Sequence, residues 1–187
     1  GSSWTEVNDL NLIRGQNVGA GTYTASITFG GISPPQSPAE IAKTESWDGT
    51  NWTEVNALNQ GKYGMSGFGT QTAAVSGGGY TTTAVNNTET WNGSSWTEVN
   101  EMNTARWYLT GAGTQTSGIA AVGATPSQVN NVETWDGTSW SETTEANTAR
   151  DQMCDGAGSS ANNALIYGGA TPTASALTEQ WDGTSWT

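Results

Sequence analysis

The chain has 187 residues, with 17 Asp and Glu against five Lys and Arg, no histidine, and a net charge of −12. Phosphate backbones are held by clustered lysine and arginine, so this balance excludes nucleic acid as a partner. With no histidine and with Cys154 as the sole cysteine, neither the usual zinc sites nor a disulfide within the chain is available, and no metal or cofactor is expected. No apolar run approaches the ~20 residues of a membrane-spanning helix.

Only 34% of residues are hydrophobic, yet ten are tryptophan, and most of these recur in pairs. The pairs are Trp47/Trp52, Trp91/Trp96, Trp135/Trp140 and Trp181/Trp186. Measured on the second tryptophan, with Trp4 opening the series, the intervals are 48, 44, 44 and 46 residues. A period of this length marks a repeat architecture, in which units that cannot bury their own apolar faces stack on one another. The expected organisation is a single repeat domain over residues 1–187, with units at about 17–56, 63–100, 107–144 and 151–187.

In chain order, residues 1–8 carry Trp4-Thr5-Glu6-Val7-Asn8, the run that ends later units, and read as a fourth strand without its first three. The chain opens on Gly1 inside a repeat, as expected of a processed chain or one cut from a longer array. The first unit begins with small residues, Val18-Gly19-Ala20-Gly21, and then carries its longest departure from the period, the proline-rich run from Ile32 to Glu40. Such an insertion is expected to project as a surface loop. In the second unit four segments of strand length, 63–70, 72–80, 85–91 and 95–100, are separated by turn residues, and none has a helical apolar period. The third and fourth units repeat the pattern, which predicts an all-β chain of four-stranded antiparallel blades.

The last two strands of each unit are joined through Asp48-Gly49-Thr50, Asn92-Gly93-Ser94, Asp136-Gly137-Thr138 and Asp182-Gly183-Thr184. Asp-Gly and Asn-Gly tolerate the positive φ of tight hairpin turns, which would set the two tryptophans across from each other. Charged residues recur as well. Arg14, Lys62, Arg106 and Arg150 each follow a second tryptophan by ten residues, while Lys43 stands alone. Glu45, Glu89, Glu133 and Glu179 precede the first tryptophan by two, and Glu6, Glu54, Glu98 and Glu142 follow the second by two. One acidic set is expected to meet the basic set at the junction between neighbouring units, as a ladder of ion pairs.

A diglycine closing the second strand, an aromatic followed by an acid or amide after the third, a tryptophan opening the fourth and a basic residue before the next unit together resemble the kelch repeat. The glycines are Gly30-Gly31, Gly77-Gly78-Gly79 and Gly168-Gly169, with Gly123-Ala124 as the departure in the third unit. This resemblance implies a β-propeller with blades similar to those of the galactose oxidase central domain. The recurrence of Trp-Asp-Gly-Thr-Ser-Trp and Asn-Thr-Ala-Arg is also similar in style to arrays in marine phage and environmental bacterial proteins. That likeness implies a structural or adhesive role in an extracellular or virion-associated setting.

Propellers commonly seal the ring by sharing one blade between chain ends. Trp4 to Asn8 could therefore pair beside Leu177 to Trp181, but Trp186 begins the same fourth strand again. Two closures remain open: four blades alone, or two chains as half-rings of a homodimer. Small first-strand residues suit a larger ring. An enzyme is not expected, because the recurring acids read as structural and Cys154, flanked by Asp151 and Asp155, reads as a small buried hydrophobe. The expected role is a structural or interaction scaffold with a protein or second-copy partner. A carbohydrate-binding propeller is the alternative, with Trp107 and Tyr108, which break the repeat beside Arg106, as its ligand-binding residues. The tryptophan pairs, by contrast, are too regular to be a glycan platform and read as packing.

Overall fold

A computed structural model describes residues 3–35, 39–152 and 156–187. Among these residues every regular element is a strand. Blade 1 comprises β1 (Val18–Thr22), β2 (Ala25–Phe29), β3 (Thr44–Trp47) and β4 (Trp52–Val55). Blade 2 comprises β5 (Ser66–Thr70), β6 (Ala73–Gly77), β7 (Thr88–Trp91) and β8 (Trp96–Val99). Blade 3 comprises β9 (Thr110–Thr114), β10 (Ser117–Ala121), β11 (Val132–Trp135) and β12 (Trp140–Glu142). Blade 4 comprises β13 (Ala157–Ser160), β14 (Asn163–Tyr167) and β15 (Thr178–Trp181). Each sheet is an antiparallel meander in chain order, and together they form the four blades of a β-propeller. The all-β propeller read from the repeats is the fold observed.

Each third-to-fourth-strand hairpin is built by its acid or amide as well as by its glycine. Asp48 Oδ1 accepts from the N–H groups of Thr50 (2.8 Å) and Asn51 (2.7 Å), and Asp136 and Asp182 do the same in blades 3 and 4. These N–H bonds hold all three carboxyls below the ordinary aspartate range. Only the glycine has positive φ, 92° to 96°, so the turn differs from the two-residue mirror-image type that the Asp-Gly pair predicts. The paired tryptophans do face each other, with ring centroids 5.3 to 5.4 Å apart in all four blades.

The apolar core is divided into three parts, each lying between two neighbouring sheets. Val18, Ile27 and Phe29 of blade 1 meet Ala74, Trp91 and Trp96 of blade 2. Phe68 and Val75 of blade 2 meet Ala120, Trp135 and Trp140 of blade 3. Ala112, Ile119 and Val132 of blade 3 meet Ala164, Ile166, Trp181 and Trp186 of blade 4. The first strands pack in series, β1 on β5, β5 on β9 and β9 on β13, and no comparable packing joins β13 to β1.

The second tryptophan of a blade is the plug that enters the blade before it. Trp96 Nε1 donates to Thr44 Oγ1 (3.0 Å) and Trp140 Nε1 to Thr88 Oγ1 (2.9 Å). Val132 stands at that position in blade 3 and has no oxygen to offer, so Trp186 Nε1 turns to the Thr144 carbonyl instead (3.2 Å). Trp96, Trp140 and Trp186 are each only 6% exposed. Trp52, with no blade before it, is half-buried.

The expected strand at Trp4 to Asn8 does not form. Residues 3–10 carry no strand, and Trp4 is fully exposed. The place beside β15 is held by the chain's other end, through a Trp181–Trp186 bridge and reciprocal bonds between Gln180 and Thr187 (2.8 and 3.0 Å). Asn8 instead caps the first hairpin, donating to Thr50 O and Asn51 Oδ1 (2.9 Å each). The third-unit glycine is also shifted by one from the reading of the repeat: Gly123 holds the place of Gly31 and Gly79, and Val122, at φ 58°, holds that of Gly30 and Gly78.

Thr88→Val gives blade 2 the residue that blade 3 already carries at 132. The loss of the Trp140 bond is expected to cost about 1 kcal/mol in urea unfolding, whereas an unchanged midpoint would show that the indole gains nothing from that hydroxyl.

Candidate functional site

The recurring charges form a clasp inside each blade. In blade 3, Glu133 Oε2 accepts from the backbone N–H (2.7 Å) and amide (2.9 Å) of Asn103, and Oε1 accepts from Arg106 Nη2 (2.9 Å). Arg106 Nη1 donates to the carbonyls of Val122 (2.8 Å) and Asn131 (2.7 Å), tying β10 to β11. Arg14–Glu45 with Asn11 and Arg150–Glu179 with Asn147 repeat the arrangement. The basic residue and the third-strand glutamate thus belong to one blade, not to two neighbours as the ladder reading had it. Of the second acidic set, Glu54 meets Lys43 in an ion pair about half exposed. The asparagine three residues before each basic residue was visible in the repeat, but its role required the geometry: it also reaches the carbonyl of the second tryptophan at Trp52, Trp96, Trp140 and Trp186.

Burial would raise the Glu45 carboxyl, but the bonds from Asn11 and the Arg14 guanidinium outweigh it and hold the group below its ordinary range. Blade 2 is the exception. Lys62 is fully buried, and its ammonium donates to Asn87 O (3.1 Å) and Oδ1 (2.8 Å) without an ion pair to Glu89, whose Oε1 is buried without a partner. A lysine lacks the second arm with which the arginines span both groups.

Burial, opposed by Glu89 and Glu98, lowers Lys62 to about 8, below the ~10.4 of an unfolded lysine. Between those values the unfolded chain binds the extra proton, so the contribution of this site to stability rises with pH across that window. Lys62→Arg is expected to reach Glu89 and stabilise the chain by about 1 kcal/mol at pH 7. It is also expected to abolish the rise between pH 8 and 10, measured against wild type by urea unfolding across that range. Equal stability at pH 7 and parallel pH profiles would show that blade 2 gains nothing from the second arm.

Where the chain departs from its repeat, aromatic rings gather. Tyr63 and Tyr80, bridged across blade 2, meet Trp107 and Tyr108 at the entry to blade 3. Tyr80 and Trp107 lie 4.7 Å apart, Tyr63 and Trp107 6.4 Å at 85°, and Trp107 and Tyr108 stack at 4.3 Å. All four are half-buried, with part of each ring exposed. Tyr108 crosses above Gly64, where an added Cβ would stand 2.8 Å from its ring, and donates to Gln16 Oε1 (3.1 Å) at the entry to blade 1. Burial, with Tyr108, Tyr80 and Glu40 nearby, raises the Tyr63 phenol above its ordinary value.

Beside these rings a cleft of about 480 Å³ is lined by Tyr80, Thr83, Ala84, Ala105, Trp107 and Pro126, with Thr125 at its wall. Of the residues expected to bind a ligand, Trp107 lines the cleft and Tyr108 joins the aromatic surface. Arg106 does neither, being fully buried in the blade 3 clasp. Tyr63 and Tyr80 were not singled out from the sequence, although Tyr63 shares its repeat offset with Trp107.

No group of three potential metal-ligating side chains occurs among the described residues. Cys154 and Asp155, and the tip of the proline-rich loop at 36–38, lie outside those residues. Asp151 accepts from Gln128 Nε2 (3.1 Å), and the described base of the loop is pinned by the Ile32–Glu40 bridge. Comparison with known protein families and with curated proteins returned no match to this chain.

Proposed function

We propose that the chain is a non-enzymatic interaction scaffold of kelch-like blades, working by contact rather than by chemistry. The observation that carries this reading is the use to which the recurring groups are put. The asparagine, the third-strand glutamate, the basic residue and the first tryptophan of each blade are committed to internal bonds, whereas Tyr63, Tyr80, Trp107 and Tyr108 keep part of each ring at the surface. Of the two closures, four blades alone or two half-rings, the unfilled face between the last and first blades supports the half-ring. A partner protein or a second copy is the occupant such a scaffold takes.

A second reading, a carbohydrate-binding propeller on a phage or cell surface, is favoured by the cleft at Tyr80 and Trp107. Aromatic faces with threonine hydroxyls alongside suit the apolar face of a neutral sugar, and the burial of Arg106 removes the cation that an anionic sugar would need. A glycan array probed with wild type and Trp107→Ala separates the two. The scaffold reading expects no saturable retention by either protein, while retention by wild type that falls at least tenfold in the variant would replace it with the lectin-like one.

A further inference from the structure

Three joins between blades are built alike, and the two outer faces of the array present the two halves of a fourth. In the internal joins the following blade supplies a tryptophan, and the preceding blade supplies a threonine hydroxyl and an aromatic edge in the first two joins and the Thr144 carbonyl in the third. Trp96 takes both, bonding Thr44 and meeting Phe29 edge-on at 4.7 Å. The second glycine of each preceding blade donates its N–H to the carbonyl of the next basic residue: Gly31 to Lys62 (2.9 Å), Gly79 to Arg106 (2.7 Å) and Gly123 to Arg150 (2.9 Å). The side chains of Gln71 and Gln115, at the turn between first and second strands, reach back to the carbonyls of Trp47 and Trp91.

The same positions are unfilled at the ends. On blade 1, Trp52 is the only second tryptophan of a described blade that is not buried, and Tyr23, at the position of Gln71, is 92% exposed. On blade 4, Thr178 stands where Thr44 and Thr88 do and is exposed, and Tyr167 stands where Phe29 does and is 44% exposed against 0% for Phe29. Gly169, at the place of Gly31, donates to no such carbonyl among the described residues. Missing neighbours, not different residues, cause this exposure. The strands β1 (VGAGT) and β9 (TGAGT) differ at one residue, yet Gly111 and Ala112 are buried while Gly19 is exposed and Ala20 half-buried. An open groove of about 430 Å³ runs along β1, β2 and Trp52, on the face that β5 and β9 turn toward their neighbours.

We infer that these two faces are a mating pair, and that the occupant of each is the opposite face of a second copy of this chain. Trp52 of one copy enters beside Thr178 and Tyr167 of the other, and the Gly169 N–H meets the Arg14 carbonyl. Two copies related by a two-fold axis make this join twice and complete a ring of eight blades. Continuity with the three internal joins supports a second copy, since each face carries the residues that already pair inside the chain. Residues 3–7 are exposed, so the Trp186 of the other copy keeps its place at the join. The join presupposes the half-ring reading and adds its residues and register.

The test is light scattering over micromolar to submillimolar concentration, combined with hydroxyl-radical footprinting, on wild type, Thr178→Lys, Tyr23→Lys and Trp107→Ala. Both lysine substitutions fall on exposed side chains, so folding is retained. The expected result is twice the chain mass, concentration-dependent protection of Trp52, Tyr23 and Tyr167 but not of Trp107, and at least tenfold weaker association in the two lysine variants alone. A dimer indifferent to Thr178→Lys and Tyr23→Lys would overturn this join while leaving two-chain assembly standing. A monomer throughout, or species growing beyond the dimer, would overturn the two-copy ring, and neither outcome touches the scaffold reading, which the glycan array decides.

Discussion

No blade of this protein has a core of its own; its apolar residues are buried only when a second sheet lies against it. The three cores sit between sheets, and each is locked by an indole that crosses from one blade into the previous one. Burying so large a ring is worth several times a single hydrogen bond. The oxygen that meets the indole nitrogen, a threonine hydroxyl in two joins and the Thr144 carbonyl in the third, removes the penalty of an unpaired donor. Regular spacing follows from this, since one blade length must bring each second tryptophan to the same place on its neighbour.

The clasp of asparagine, glutamate and arginine solves a different problem. A four-stranded sheet must receive the chain from the blade before it, and the receiving segment has no strand of its own to pair with. A buried carboxylate supplies the acceptors that this segment needs, and the arginine neutralises the carboxylate while bonding the carbonyls at the ends of the second and third strands. Removing one partner of such a buried pair typically costs 3–5 kcal/mol, because the other charge is left uncompensated. Lys62 shows the system tolerating a weaker version, with an asparagine carrying part of the load.

Much of this was legible in the chain. Paired tryptophans around an acidic turn identify the hairpin, because the strand period places them opposite each other. Glycine, threonine and the lack of any helical period exclude everything but short strands. What stayed hidden involves partners far apart in sequence. Glu133 lies 27 residues from Arg106, and spacing alone could not say whether the pair closes within a blade or across two. The asparagine role needed a carboxylate 30 residues away. Val122 in a left-handed conformation escaped notice because a β-branched residue is a poor occupant of that region. The aromatic surface of Tyr63, Tyr80, Trp107 and Tyr108 comes from two blades and takes shape only when they pack.

Period, strand content and turn chemistry are local or repeating properties, and the sequence by itself determined them: four units, each built of short antiparallel strands, and a hairpin between paired tryptophans. Only the tertiary structure decided how neighbouring sheets pack and which side chains each join buries. Curvature accumulates from small rotations at every join, so no single repeat encodes closure. The near-identical strands β1 and β9 make the point, one half bare and one buried, because burial belongs to the neighbour a strand is given and not to the residues it carries.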